Sequence, residues 1–426
     1  MSLSSRRTFL ATTAAFSVAR ALGANDKINV AVIGLGGRGT AHVNEYIKLP
    51  ECRVTALCDV DQAALERATA NVEKKTGQKP KGYADMRAVF ADKDVDAVSI
   101  ATPNHWHALA TIWACQAGKD VYVEKPASYN VYEGQRMIET ARKTGRMVQV
   151  GSQSRSVPHK QKAMQLLQQG AIGKVYLAKG LCFKRRKSIG HAADSPVPPG
   201  VNWDLFLGPA PMRPFNELRF KYNWHWFWDT GNGDIGNQGV HEMDICRWGL
   251  GDVEWPKSVV STGGKYVYTD DQETPNTQLA SFDYSDREIV FEVRGLLTGG
   301  EGGLERRGGN FVGNLFYGSD GWMAVDSAGF QIYKGEASSL AMEEKAVRGS
   351  ETAPHMTNFL NACRTRNAKD LNADIAIGAM SAALCHLANA SYRVGRKLTV
   401  EPGGRFANDA EANALLTRKY RAPYVV

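Results

Sequence analysis

Short apolar runs alternate with helix-length amphipathic stretches over the first third of the chain. The apolar runs occupy residues 28–33, 53–58, 97–101, 121–123 and 147–150, and a helical pattern covers 61–75, 105–117 and 131–144. Strands that are apolar along nearly their whole length, alternating with helices, are typical of a parallel sheet covered on both faces. We therefore predict a doubly wound α/β domain over residues 25–152.

The pattern changes after residue 152 to longer strands in which polar and apolar positions alternate. These segments cover residues 174–184, 257–266, 278–283, 288–294, 309–317 and 329–334, and short turns at 284–286 and 318–321 predict antiparallel pairing. Helical patterns at 158–169, 238–249, 352–364 and 373–395 are expected to cover one face of the sheet. We predict an α+β domain over residues 153–426, built on a large, mostly antiparallel open sheet, that binds substrate and mediates oligomerisation.

The N-terminus carries a twin-arginine pattern, Ser5-Arg6-Arg7-Thr8-Phe9-Leu10, ahead of a mildly apolar stretch and small residues near position 24. This order of features predicts a signal peptide over residues 1–24 that is read by the twin-arginine export machinery. The expected location is the periplasm or another exported location. The alternative is an unstructured tail.

Composition excludes several classes of partner. A formal net charge of +8 on 426 residues is a mild bias, and the basic run 184–187 is more typical of a solvated loop than of a nucleic-acid surface. Seven scattered cysteines without a C-x-x-C pair argue against a disulfide framework. After the signal we expect no membrane-spanning segment, and we expect no metal site, because His105 and His107 point in different directions from the start of a helix.

A glycine-rich turn follows the first predicted strand and opens a helix. In Gly34-Leu35-Gly36-Gly37-Arg38-Gly39, the glycines permit a tight turn, close approach of a pyrophosphate and close packing of helix on strand, as in dinucleotide-binding Rossmann domains. Asp59 follows at the end of the next strand and is placed to bind ribose hydroxyls, which favours NAD over NADP. Arg38 is expected at the cofactor, over the adenine edge or at a phosphate, and Asp61 is alternatively a helix N-cap.

Three further motifs follow in order: Ala101-Thr102-Pro103-Asn104-His105-Trp106-His107, Glu124-Lys125-Pro126 and Gly239-Val240-His241-Glu242-Met243-Asp244. Together with the glycine turn, they resemble the Gfo/Idh/MocA family of oxidoreductases over essentially the whole mature chain. The resemblance implies that Lys125 lies against a reacting sugar hydroxyl and that His241 faces Lys125 as a base. It also implies that Thr102, Pro103, Asn104 and Glu124 line the nicotinamide side of the cofactor site. Further candidates for cofactor binding are His107, Gln153 and Trp203. The alternatives are a surface ion pair between Lys125 and Glu124, and a core histidine at 241 bonded to backbone.

The chain departs from the family pattern at Asn237, where many members carry Asp. An amide orients a hydroxyl but does not ionise, so Asn237 is a catalytic candidate without a base function. Asp234 or Asp244 is a possible replacement, and the alternative for Asp244 is a structural role in its helix. Candidate substrate contacts are Trp224 and Trp226, whose rings suit the apolar face of a sugar, together with Arg155, Arg219 and Asp244. The alternative for the tryptophans is core packing.

These features predict an exported NAD-dependent oxidoreductase that acts on a sugar or glycoside hydroxyl. Because an exported enzyme has no access to the cellular cofactor pool, we expect tightly bound NAD that is recycled within a closed redox cycle. One alternative is an NAD-dependent glycosidase that works by oxidation, elimination and re-reduction. Another is a catalytically inert sugar-binding relative. By analogy with the family, a homo-oligomer, either dimer or tetramer, is expected.

Overall fold

The computed structural model describes residues 27–299, 301, 310–347, 349 and 351–426. The predicted export signal at residues 1–24 lies outside the described residues. The described chain is built on two sheets, one of six strands and one of nine.

The first sheet is parallel throughout. Its strands are β1 (Ile28–Ile33), β2 (Cys52–Cys58), β3 (Lys81–Tyr83), β4 (Ala97–Ile100), β5 (Asp120–Val123) and β6 (Val148–Val150), in the order β3-β2-β1-β4-β5-β6. The helices between them are α1 (Gly37–Tyr46), α2 (Gln62–Thr76), α3 (Met86–Ala91), α4 (Asn104–Gln116) and α5 (Val131–Thr144). The strand order reverses between β1 and β4, which places a ligand crevice at the carboxyl ends of these strands. The predicted doubly wound domain is confirmed.

The second sheet is antiparallel except where β7 and β10 pair in parallel. Its strands are β7 (Val175–Phe183), β8 (Ser258–Gly264), β9 (Thr277–Asp283), β10 (Glu288–Arg294), β11 (Phe311–Gly318), β12 (Gly321–Val325), β13 (Gly329–Lys334), β14 (Ser339–Lys345) and β15 (Leu398–Thr399), in the order β14-β13-β12-β11-β7-β10-β9-β8-β15. The predicted large, mostly antiparallel sheet is confirmed, and β12, β14 and β15 are strands that the sequence analysis did not predict.

The helices of the second half are α6 (Pro158–Gln168), α7 (Trp203–Leu207), α8 (Gly233–Asn237), α9 (Gly239–Gly249), α10 (Thr352–Thr365), α11 (Ile375–Val394) and α12 (Ala410–Ala414). Helix α9 packs on β7, β10 and β11, and α11 packs on β8 as expected. The placement predicted for α10 is wrong. Its apolar side chains Met356, Phe359 and Leu360 join the core of β1 and α1, so the chain returns to the first domain after completing most of the second sheet.

Among the described residues, helix α11 is long and apolar enough, by length and composition alone, to cross a membrane. Because 78% of its most apolar window is buried inside the protein, its composition is that of a core helix. It bridges the two domains, with Ile375 and Ala379 in the core of the first sheet and Leu384 and Leu387 in that of the second. All seven cysteines are buried free thiols, as the sequence predicts.

Candidate active site

The glycine turn leaves room for a ligand on one side only. Gly34 has φ +84°, and a Cβ at Gly39 would lie 1.7 Å from the carbonyl oxygen of Gly34, so these glycines permit the turn and the packing of α1 on β1. A Cβ at Gly36 or Gly37 would meet no atom within 4 Å. The open side faces a cleft of about 810 Å³, where the free amides of the α1 N-terminus suit a pyrophosphate. The glycine turn, the cleft volume and the free amides of α1 therefore fit a bound dinucleotide.

Asp59 lies in the wall of this cleft at the end of β2. Its carboxylate accepts hydrogen bonds from the amide of Leu35, at 2.5 Å, and from the amide of Asp61, at 2.8 Å. Burial raises the pKa of Asp59 above its ordinary value, and these amide hydrogen bonds oppose that shift. Asp59 therefore ties the glycine turn to β2 while lining the cleft. Asp61 caps α2 by accepting from the amide of Ala63, as its alternative interpretation predicted.

A segment of the second half, residues 197–227, closes the open edge of the cleft; we call it the cover segment. The amide of Gln62 donates to the carbonyl of Gly200, and the amide of Asn202 donates to the carbonyl of Val60, both at 2.9 Å. Within the segment, Trp203 stacks on Phe206 with ring centroids 4.8 Å apart, in a cluster that includes Phe215 and Phe220. Trp203 thus holds the cover segment together beside the cleft.

Glu124 is a buried hub between the glycine turn and β5. One of its carboxylate oxygens accepts from Arg38 at 2.7 Å, from His42 at 2.9 Å and from Gln153 at 3.0 Å. Burial alone would raise the pKa of Glu124, but the charge of Arg38 and the His42 hydrogen bond hold it well below its usual range. The Arg38 side chain, expected at the adenine or a phosphate, lines the cleft and bonds to Glu124 through its Nε. Gln153 supports this hub through its bonds to Glu124 and Tyr122.

Lys125 reaches across the cleft to the second domain. Its ammonium donates to the main-chain carbonyl oxygen of Asn237 at 2.7 Å and lies 3.4 Å from the side-chain oxygen of Asn237. The predicted alternative, a surface ion pair with Glu124, is wrong, because the Glu124 carboxylate accepts from the Lys125 amide and not from its ammonium. Burial lowers the pKa of Lys125 below its ordinary value, although the Glu124 charge opposes that shift. Lys125 is therefore a donor whose proton is more readily released than that of an exposed lysine.

His241 lies in the first turn of α9, on the second-domain side of Lys125. Among the described residues its imidazole has no hydrogen-bond partner, so the alternative of a histidine bonded to backbone is wrong. Burial lowers its pKa well below the ordinary value, and the nearby Lys125 charge lowers it further. The imidazole is consequently neutral at physiological pH and available as a base.

The two aspartates near Asn237 are both held in buried ion pairs, and Asp234 also accepts from the Asn237 side-chain amide at 3.4 Å. Asp234 is 3% exposed and forms a two-point ion pair with Arg186. Asp244 is 1% exposed and accepts from Arg155 at 2.8 and 3.0 Å and from Ser381. The proposed substrate roles of Arg155 and Asp244 are therefore corrected: these side chains bind each other and join the segment after β6 to α9 and α11.

The inner end of the cleft is lined by the start of α4. The ring nitrogens of His107 lie 2.7 Å from the carbonyl oxygen of Pro126 and 2.9 Å from that of Thr102, which ties this turn to the end of β5. The Asn104 amide bonds to Asn232 of the second domain. Thr102, Pro103, Asn104 and His107 thus line the cleft beside Lys125, where the sequence analysis placed them.

The aromatic run after residue 219 divides between the cleft and the core. Trp224 lines the cleft and stacks on His225, whereas Trp226 is 4% exposed and packs beneath Arg186. The sugar-wall prediction for Trp226 is therefore wrong, and its core alternative is confirmed. Arg219 packs over Phe227 instead of facing the cleft.

Tyr222 is a residue that the sequence analysis missed. It lines the cleft, and its hydroxyl lies 3.3 Å from the Asn237 side-chain nitrogen and 3.0 Å from the Arg186 guanidinium. Tyr222 directly precedes the aromatic run 223–229, and this position in the sequence could have identified it as a candidate site residue. The site therefore contains a lysine, an amide and a phenol at one end of a dinucleotide cleft, and the neutral imidazole of His241 lines a neighbouring cavity.

Comparison with known proteins agrees with this geometry. A family model described as an oxidoreductase family with an NAD-binding Rossmann fold matches residues 28–152. The model of that family's C-terminal alpha/beta domain matches residues 179–272 and 321–426.

Curated relatives match over a shorter span. A glycosyl hydrolase family 109 protein of Shewanella sp. (strain W3-18-1) is 34% identical over 123 residues, which are 28% of this chain and 27% of that protein. An alpha-N-acetylgalactosaminidase of Shewanella oneidensis is 35% identical over 121 residues, 28% of this chain and 26% of that protein. The chain thus matches just over a quarter of the length of these relatives.

Solved structures match nearly end to end at low identity. Levoglucosan dehydrogenase in complex with NADH and L-sorbose superposes with a TM-score of 0.69 at 16% identity, over 88% of this chain and 99% of that one. The WlbA dehydrogenase from Bordetella pertussis, in complex with NADH and UDP-GlcNAcA, gives a TM-score of 0.64 at 20% identity, over 88% and 99% of the two chains. At these identities the likeness is one of fold.

Proposed function

The chain belongs to the Gfo/Idh/MocA family of NAD-binding oxidoreductases, and we propose that it is an exported enzyme that oxidises a hydroxyl of a sugar or glycoside with NAD that it retains. The observation that carries the proposal is the bond between Lys125 and Asn237, which joins the two domains at the inner end of the cofactor cleft. A hydroxyl placed there meets a proton donor and an amide, and the neutral imidazole of His241 lines the neighbouring cavity.

NAD supplies the hydride acceptor when it is bound. Oxidation of a hydroxyl also releases a proton, which a positioned base must take. His241 is suited to that task because its imidazole is neutral and has no hydrogen-bond partner in the part of the chain that the structure describes. Lys125 orients the substrate oxygen, and the Asn237 side chain, held beside the Tyr222 hydroxyl, is placed to hold a neighbouring hydroxyl.

Cofactor retention is supported by the cover segment. Because residues 197–227 bond to the loop after β2 and to the start of α2 on the outer side of the cleft, we expect release of a dinucleotide to require these contacts to open. Retained NAD suits an exported enzyme, since reduced cofactor must then be reoxidised in place by a second substrate or by the same substrate at a later step. Replacement of Arg6 and Arg7 by lysine, followed by cell fractionation, tests export: the variant should stay in the cytoplasm.

The activity is tested by mixing the purified protein, as isolated, with a panel of sugars and methyl glycosides. We expect at least one compound to produce the near-ultraviolet absorbance of reduced nicotinamide, with an amplitude set by the amount of bound NAD. A panel-wide absence of reduction in protein that holds oxidised NAD would favour the inert sugar-binding alternative.

The glycosidase alternative is favoured by the similarity to family 109 glycosyl hydrolases over about a quarter of the chain. In that mechanism a ketone formed on the sugar acidifies the adjacent C–H, and a base removes this proton while the aglycone leaves with the electrons of the glycosidic bond and is protonated. Water then adds across the resulting double bond, and the hydride is finally returned to the ketone. Hydrolysis in deuterated water would then place deuterium on the carbon beside the oxidised one. Product without deuterium would favour simple hydride transfer.

A further inference from the structure

A second cavity lies behind His241, between α9, α6 and the inner face of the second sheet. Its volume is about 290 Å³, near the lower end of the range for small-molecule sites, roughly 300 Å³ and above. His241 and Gln153 line it, and Gln153 also binds Glu124 at the cofactor cleft. The cavity therefore adjoins the proposed reacting centre.

Two buried oxygens in the wall of this cavity have no hydrogen-bond partner among the described residues. One is a carboxyl oxygen of Glu242, a residue that is 5% exposed, and the other is the side-chain oxygen of the fully buried Asn314. The Asn314 amide nitrogen is used by the Glu242 carbonyl, which fixes its side-chain oxygen as the free acceptor. Buried polar atoms normally have partners, so these atoms indicate a ligand with hydroxyl groups.

Two lysines line the same cavity. Lys160 is 8% exposed, and its ammonium donates to the hydroxyl of Ser154 at 3.0 Å. Lys184 donates to the side-chain amide oxygen of Gln238 at 3.2 Å. Both of these close partners are neutral, although a buried charge such as that of Lys160 is normally paired with an opposite charge.

The acidic groups around the cavity leave this positive charge largely uncompensated. The Glu351 carboxylate is 44% exposed and 3.9 Å from Lys160, and the Asp326 carboxylate accepts from the amides of Ala328 and Gly329. Burial raises the pKa of Glu242 to about 8, so its carboxyl is largely neutral at pH 7. A ligand that carries a negative charge would compensate the positive charges of Lys160 and Lys184.

We propose that this cavity binds an acidic sugar unit, with its carboxylate on Lys160 and Lys184 and its hydroxyls on Glu242 and Asn314. The proposal rests on the proposed function, since it places the charged unit of the substrate next to the hydroxyl that is oxidised. It narrows the substrate class to glycosides of uronic acids.

The test is calorimetric binding to the purified holoprotein. The ligands are the methyl glycosides of glucose and galactose, in both anomers, each measured beside its C6-carboxylate counterpart. We expect at least one uronate to bind about tenfold more tightly than its neutral partner, and Lys160→Gln and Lys184→Gln each to remove most of that preference. Lys162→Gln is the matched control on the same helix, because Lys162 is 52% exposed and pairs with Glu344 at the surface.

Equal binding within every pair, no binding of any uronate, or a preference that survives in the double variant would overturn the proposal. Lys184 is only half-buried, so Lys184→Gln is expected to fold. This variant tests the uronate preference if Lys160→Gln does not fold. Reduction of bound NAD by the same compounds separates the two proposals. Neutral glycosides that reduce NAD without a uronate preference would contradict the acidic subsite alone, whereas lysine-dependent uronate binding without any reduction would contradict the oxidoreductase function alone.

Discussion

The ammonium of Lys125 donates a 2.7 Å hydrogen bond to the main-chain carbonyl oxygen of Asn237. This bond joins the end of β5 in the first domain to α8 in the second, so the lysine is positioned by both domains. A substrate hydroxyl beside the nicotinamide would meet this ammonium with its position already fixed.

Lys125→Ala should abolish reduction of the bound cofactor by substrate while the amount of bound NAD stays unchanged. Positioned proton donors and bases contribute about 10² to 10⁴ in rate, so a loss of at least a hundredfold is expected in single-turnover absorbance measurements. Lys143→Ala, at the exposed end of α5, is the control and should react like the wild type. An unchanged rate of NAD reduction in Lys125→Ala would show that Lys125 takes no part in the reaction.

Asn237→Asp should move the alkaline limit of activity to higher pH. Burial lowers the pKa of Lys125, and a carboxylate in place of the amide oxygen 3.4 Å away would raise it again. Because the protonated lysine is the active form, activity would then persist to higher pH. The measurement is the pH dependence of cofactor reduction, and an alkaline limb that does not move would show that Lys125 does not set it.

The acid limb of the same profile should lie below pH 6.5. His241 acts as a base in its neutral form, and burial holds its pKa well below that of an exposed histidine. Activity should therefore remain as pH falls through 6.5 and decline only at lower pH. A decline centred at or above pH 6.5 would contradict the assignment, and His241→Gln should slow reduction at every pH.

Two glycine variants should separate cofactor binding from folding. Gly36→Ala places its Cβ in open space in the cleft and has a backbone conformation that alanine accepts, so the protein should fold normally but lose bound nucleotide. Gly39→Ala places its Cβ 1.7 Å from the Gly34 carbonyl oxygen, so it should lower the unfolding temperature. Both variants are compared with nucleotide-free wild type, because bound ligand itself raises that temperature.

Asp244→Ala should destabilise the protein by about 3 kcal/mol, because it leaves Arg155 buried with Asp252 as its remaining charged partner. Urea unfolding of nucleotide-free protein measures the change in the free energy of unfolding. Asp286→Ala removes an exposed ion pair with Arg287 and should have no measurable effect. Equal stability of the two variants would contradict a structural role for Asp244.

Local pattern predicted most of the fold because many of the main strands are either buried along nearly their whole length, as β1 and β5 are, or alternate between buried and more exposed positions, as β9 and β10 do. Strand β14 escaped prediction because nearly all of its residues are exposed, so it carries no apolar face. Helix α10 has an ordinary amphipathic pattern, and sequence does not reveal which of two sheets its apolar face contacts.

Motifs located the residues around Lys125, but the roles of several neighbours depend on partners far away in the chain. Arg155 and Asp244 are each plausible substrate contacts until the fold pairs them across 89 residues. The lysines of the second cavity come from α6 and from the segment after β7, and no local pattern joins them. Long-range pairing thus decides which polar side chains remain free for a ligand.

The most direct test of the central claim is to denature the purified mature protein and to measure the nucleotide that it releases, in identity and in amount per chain. We expect close to one NAD(H) per chain, retained through purification without added cofactor. Protein that folds normally but releases no nucleotide, and that gains none when incubated with NAD, would contradict it.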